Sequence, residues 1–257
     1  MKKLLSMFLG VFLLLVMSCA TTPPNTSASD IDKEIADGKI PTIEYKILLN
    51  EDLFKFKFNE AGDPVLTAEI AKELKDLGVV FPADKAAVKK GLNLYAVTKN
   101  GELQKQQLIF RIKEDLVKPS KSKITLKSRG DNFENLDFKT VEKVAYEFDA
   151  AASGKPTTDR NKIVHKYNTS LDFGYDSSKE FAVKDGKLDF QDAWKWLDKK
   201  YYWVHHMLRQ NYPAIVDATF PGVAYTYSFV GEPADTDPKY KDLEFAFDYW
   251  IMKKDGK

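Results

Sequence analysis

Cysteine is nearly missing: Cys19 is the only one in the chain. That excludes an internal disulfide and any zinc site built from paired thiolates. Histidine is also scarce, with three residues. His205 and His206 are adjacent, so on a helix they point ~100° apart, and His165 lies on another element; no i, i+4 zinc pair forms. Net charge is close to nil, because 39 basic residues face 38 acidic ones. A chain so balanced offers no basic excess for nucleic acid, and no such partner is expected. There is no Gly-x-Ser-x-Gly elbow, no HExxH and no phosphate-cradling glycine loop, so no local catalytic signature stands out. No apolar run reaches the ~20 residues of a spanning helix.

The longest such run, Leu4 to Met17, follows Lys2 and Lys3 and ends in Ser18, Cys19 and Ala20. A positive start, about fourteen apolar residues and a small-residue end form the pattern of an export signal. Val16-Met17-Ser18-Cys19 resembles the lipobox of bacterial lipoproteins, in which a small residue precedes an obligatory Cys. The resemblance covers the first twenty residues. It implies removal of residues 1–18, a diacylglyceryl group on the Cys19 sulfur, and acylation of the freed amine. Ala20 implies the outer membrane where the host has two membranes. Two or more acyl chains suffice for stable anchoring. Thr21 to Ser29 contains Pro23, Pro24 and small polar residues, a tether reaching up to ~30 Å. The membrane is thus the first expected partner, through Cys19.

The rest of the chain is globular in composition, with 44% hydrophobic and 13% aromatic residues, enough for a sizeable core. A short helix is expected from Asp30 to Gly38. Ile43, Tyr45, Ile47 and Leu49 alternate with polar neighbours, as do Phe54, Phe56 and Phe58, two strand patterns. Thr67 caps a helix carrying Ile70, Ala71, Leu74 and Leu77, which Gly78 closes. Leu92–Thr98 and Leu103–Ile112 read as strands of a hairpin around Asn100-Gly101. Two polar stretches, Lys118–Lys123 and Lys127–Asn132, suggest a boundary near 128–135. Beyond it come strands near Val144–Phe148, Ile163–Tyr167 and Leu171–Tyr175. One long helix is expected from Asp189 to Asn211, and strands at Ala214–Phe220, Val223–Val230 and Leu243–Met252. The fold expected is α+β, a mostly antiparallel sheet or sheets with a few helices. Its parts are residues 19–39 (lipidated Cys, tether and short helix), 40–127 and 133–257 as two subdomains, behind the 1–18 signal.

Candidate sites are few. Asp185-Gly186-Lys187-Leu188-Asp189 looks like half a calcium loop, but Phe181 and Val183 stand where its first ligands belong; a turn and helix start is the better reading. Ser120-x-x-Lys123 and Arg129-Gly130-Asp131 are short enough to arise by chance. The aromatic helix is the unusual segment. Ala193, Leu197, Tyr201, Val204 and Leu208 repeat at core spacing, whereas Trp196, Tyr202 and Trp203 are placed on a candidate binding face. The expected protein is a lipid-anchored envelope binding or scaffolding protein and not an enzyme, with no cofactor and no metal. Its ligand would be an envelope protein, glycan or lipid. An envelope hydrolase with acids dispersed in sequence is the alternative, and a lipid-handling protein the third. An enzyme would show a cleft of converging polar groups, and a lipid carrier an apolar cavity.

Overall fold

Alternating apolar and polar residues demand a surface with two different faces, and the chain meets that demand with a sheet closed on itself. In the computed structural model, residues 9–17, 43–49, 56–81, 87, 89–130, 145–152, 163–235, 237 and 243–254 are described. The strands are β1 (Leu9–Met17), β2 (Ile43–Leu49), β3 (Lys57–Phe58), β4 (Pro64–Val65), β5 (Val79–Val80) and β6 (Lys89–Tyr95). They continue with β7 (Leu108–Asp115), β8 (Ser122–Gly130), β9 (Ala145–Ala152), β10 (Ile163–Tyr175), β11 (Gly222–Pro233) and β12 (Leu243–Lys254). The helices are α1 (Ala68–Asp76), α2 (Glu102–Lys105), α3 (Phe190–Lys200) and α4 (Tyr202–Asn211).

The main sheet runs β12-β1-β2-β9-β10-β8-β7-β6-β11-β5, and β12 also pairs with β11. That extra pairing joins the two ends. From β11 round to β12 each strand has a neighbour on both sides, so the ring is a closed barrel. Every ring pairing is antiparallel except β2 with β9, which run parallel from Ile43 beside Phe148 to Lys46 beside Ala151. The α+β class expected from the sequence is the class observed. Strands from before and after residue 130 alternate in the ring: β2 borders β9, and β6 borders β11.

Two apolar clusters cover the outside of the wall. Leu94, Phe110, Ile112, Ile124, Leu126, Leu171 and Phe173 meet Phe190, Ala193, Leu197, Val204 and Leu208 of the helices. On the other side Leu66, Ile70 and Leu74 at α1 pack on Phe229, Phe247 and Tyr249. Burying each large side chain contributes ~1.5–3 kcal/mol, which holds the helices to the barrel. Thr67 starts α1 by accepting the Ile70 N–H at 3.3 Å, and Gly78 after its end has φ +91°.

Four local expectations are corrected. Asn100-Gly101 is no two-residue hairpin: Gly101, at φ 69°, leads into α2, and β7 starts only at Leu108. Thr98 accepts the Glu102 N–H at 2.8 Å, and Asn100 Nδ2 donates to Glu102 at 2.9 Å, so side chains turn this loop helical. Residues 213–217 form a 3-10 turn and not a strand, Pro213 opening it. The single helix from 189 to 211 is two, α3 and α4, broken at Tyr201 (φ −140°, ψ 56°). Tyr201 turns its ring onto Phe173 at 4.7 Å and Trp196 at 5.6 Å. Leu77, expected on the buried face of α1, is 64% exposed beyond the end of that helix. The predicted helix at 30–38 and the loop at 153–161 lie outside the described residues.

Candidate functional site

The site is the inside of the barrel. Partners across an antiparallel pair share a face, so outward packing of one residue set assigns the alternate set to the lumen. On β7, Leu108, Phe110 and Ile112 are buried beneath the helices, while Ile109, Arg111 and Lys113 alternate with them. On β8 Ile124 and Leu126 go outward and Lys123, Thr125 and Lys127 inward; on β10 Leu171 and Phe173 go outward and Ser170 and Asp172 inward. The registers Arg111↔Thr125 and Thr125↔Asp172 place these three in one row across three strands. By the same alternation Lys89 and Asn93 on β6, Thr226 on β11, and Asp248 and Trp250 on β12 face the lumen.

The row is hydrogen bonded. Arg111 Nη2 donates to Thr125 Oγ1 at 3.4 Å, and the Thr125 hydroxyl donates to Asp172 Oδ1 at 2.6 Å. Lys123 forms an ion pair with the other oxygen of Asp172. Arg111 Nε is buried without a hydrogen-bond partner among the described residues. Asn93 Nδ2 donates to Thr226 Oγ1, and that hydroxyl to the Gly91 carbonyl, both at 3.3 Å.

Lys113 shows what kind of space this is. Its side chain has solvent-exposed area, yet burial holds its ammonium below the ordinary lysine value, with Arg111, Lys123 and Lys89 pushing the same way. Asp248 pulls in the opposite direction, although β12 and β7 are not neighbours; the interaction crosses the lumen. Lys113 stands directly opposite Lys123 in the register, and Arg111 and Lys89 share their face, so cations are gathered on one side of the wall. An anion entering there relieves the repulsion.

The residues singled out in the sequence sit elsewhere. Cys19 lies outside the described residues. Trp196 is half-buried against Tyr175 and Phe181, at ring distances of 5.8 Å each. Tyr202 and Trp203 are 66% and 48% exposed on α4, and the break at Tyr201 separates them from Trp196. His205 Nδ1 pairs with Asp198 at 3.1 Å and its ring lies 4.1 Å from Trp194; His206 stacks on Tyr202 at 5.9 Å. Among the described residues no group of three His, Cys, Asp or Glu is placed to hold a metal ion, and no helix is long and apolar enough to cross a membrane. The lumen cations went unrecognised in the sequence. The signal was there: Lys123, Thr125, Lys127 and Arg129 alternate with Ile124, Leu126 and Ser128.

No family profile matches the chain, and no curated protein does so at a significant level. Solved structures do. One is a putative adenylyl cyclase from Hippeastrum described as having a dominant triphosphatase activity, at 12% identity and a TM-score of 0.33, covering 74% of this chain and 76% of its own. Another is a putative adenylate cyclase from Bacillus halodurans, at 13% identity and a TM-score of 0.28, covering 72% and 76%. At these values neither residues nor activity transfer to this chain. The expectation of a non-enzymatic binding or scaffolding protein stands against these neighbours, which are named for catalysis. A polar lumen is assembled from single residues on many strands and leaves no local motif in the sequence.

Proposed function

We propose that this chain is a hydrolase whose lumen takes a small, multiply charged phosphate compound. The observation that carries this is the inward row of Arg111, Thr125 and Asp172 with Lys123, joined by Lys113 directly opposite Lys123 in the strand register. Fixed cations gathered on one face bind phosphate oxygens and stabilise the charge that develops as a phosphoanhydride breaks. Arg111 brings a planar donor set with Nε unused, suited to two oxygens of one phosphoryl group. Asp172 is already engaged by Thr125 and Lys123, so its role is to orient them. Asp248, which shares the inward face on β12, is the carboxylate we assign to accept the proton of an attacking water. The water oxygen bonds to phosphorus, the bridging P–O bond breaks, and its electron pair leaves on the departing phosphate.

The test is phosphate release from inorganic triphosphate and pyrophosphate by the full chain. Arg111→Ala and Lys113→Ala are expected to lower kcat/KM at least ~100-fold, and Asp248→Asn to lower kcat. Undiminished turnover in all three variants, or no hydrolysis of either compound, would overturn the proposal.

We propose also that Cys19 carries the lipid that holds this enzyme in the cell envelope, at the outer membrane of a host with two membranes. The support is the sequence pattern alone. Residues 9–17, which that reading removes, form β1 between β12 and β2. Precursor and processed forms therefore differ by one strand: the processed chain loses the ladder partner that β12 and β2 share, and keeps β6, β7, β8, β10, β11 and β12, which carry the lumen residues named above; intact mass of the envelope form decides between them.

A further inference from the structure

We propose a second anion site, on the outside of the barrel, in the groove between the 177–188 turn region and α3, for a small anion carrying two or more negative charges. It does not depend on the lumen reading. The groove has a volume of about 880 Å³. Its apolar floor is Phe181, Leu188 and Trp196, and lysines stand round it.

Lys184 and Lys187 form one wall. Each donates its N–H to the other's carbonyl at 2.9 Å, across Asp185 and Gly186, which both have positive φ (50° and 71°). In such a two-residue hairpin the flanking pair presents its side chains on one side of the ribbon. Like charges directly opposite are destabilising. Lys199 adds a third cation from α3. None of these three has an ion-pair partner among the described residues.

Five lysines line the groove against the three carboxylates of Glu180, Asp189 and Asp192. Lys179 pairs with Asp176 at 3.0 Å and Lys200 with Glu180 at 3.4 Å. Asp189 accepts the Gln191 N–H at 2.9 Å as the cap of α3. What remains is a concavity whose lysines outnumber its carboxylates by two, with Lys184, Lys187 and Lys199 beside a tryptophan, which fits a phosphate-type dianion, free or carried as a lipid head group.

Trp196 makes the test direct. In the full chain with Trp250→Phe, so that the lumen indole is silent, inorganic pyrophosphate should change the tryptophan emission saturably. Trp196→Phe should abolish that change. The double change Lys184→Gln, Lys187→Gln should weaken binding tenfold or more, Lys199→Gln should weaken it in the same direction, and Arg111→Ala should leave it unaltered. Unchanged melting temperatures identify variants that remain folded. Competition by phosphatidylglycerol vesicles, but not phosphatidylcholine ones, assigns the anion to a head group; no competition assigns it to a soluble compound. An absent response, one indifferent to the three lysines, or one lost only with Arg111→Ala overturns the site. Loss of hydrolysis in the lumen variants with groove binding intact would separate the two proposals.

Discussion

At the scale of single residues, the wall depends on contacts that a methyl group disturbs. A Cβ on Gly91 would lie 2.8 Å from the Glu114 carbonyl oxygen and 3.3 Å from Thr226 Oγ1, so two strands approach there as only glycine permits. Gly91→Ala should destabilise by ~2 kcal/mol, a fall in Tm of about 4–8 °C in thermal unfolding. Glu114 carries a different strain. It is 3% exposed, and burial raises its carboxyl pKa despite the Val183 N–H at 2.6 Å and the Tyr175 hydroxyl at 3.5 Å. A raised carboxyl binds its proton more tightly folded than unfolded. Its favourable contribution is full below the unfolded value near 4.5 and is lost as pH rises through the folded value. Glu114→Gln keeps the acceptor for Val183 and removes the charge. Its Tm should rise by about 2 °C or more at pH 8 and by less at pH 5; an equal gain at both would deny the ionisation cost.

At the scale of elements, side chains decide local shape. Glu102 has its carboxyl pKa held down at about 2 by the Thr98 hydroxyl and then the Asn100 amide. Because the folded value is depressed, the contribution is present above 4.5 and fades as pH falls toward 2. NMR titration should find Glu102 still ionised at pH 3, and Thr98→Val should raise its midpoint more than Asn100→Ala does. The same loop shows what the sequence could and could not reveal. Strands with one greasy face, such as β2 and β11, were legible, as was the cap at Thr67. Asn100-Gly101 reads as a hairpin until the bonds from Thr98 and Asn100 are counted, and those depend on α2 forming. β8 was misread for the opposite reason. Its alternate positions are Lys123, Lys127 and Arg129, and a strand whose second face is charged resembles a polar linker. The lysines that looked like a break are lumen lining. Tyr201 could not be foreseen as a helix break, because the contact that bends the chain is with Phe173, twenty-eight positions away.

At the scale of the whole molecule, the closed ring makes distant segments answer to one another. β10 pairs with β8 and β9, β2 with β9, and β6 with β11, so losing β7, β8 or β10, which carry the hydrogen-bonded lumen row, breaks two ladders each. Contacts this remote in sequence are slow to form and form together, since each loop-closure cost is met only when the ring closes. The lysines and arginine of the lumen oppose that closure by repulsion, and an anion bound among them favours it. Two consequences follow for unfolding in urea. Far-UV circular dichroism and tryptophan emission should report one coincident transition, although Trp194 and Trp250 lie on different elements. Raising triphosphate should move the common midpoint upward, and 0.5 M salt should reduce that shift as the Debye length falls to a few ångströms. Two separated transitions would instead mean that the segments either side of residue 130 unfold independently, and that the lumen is not the cooperative unit its strand order implies.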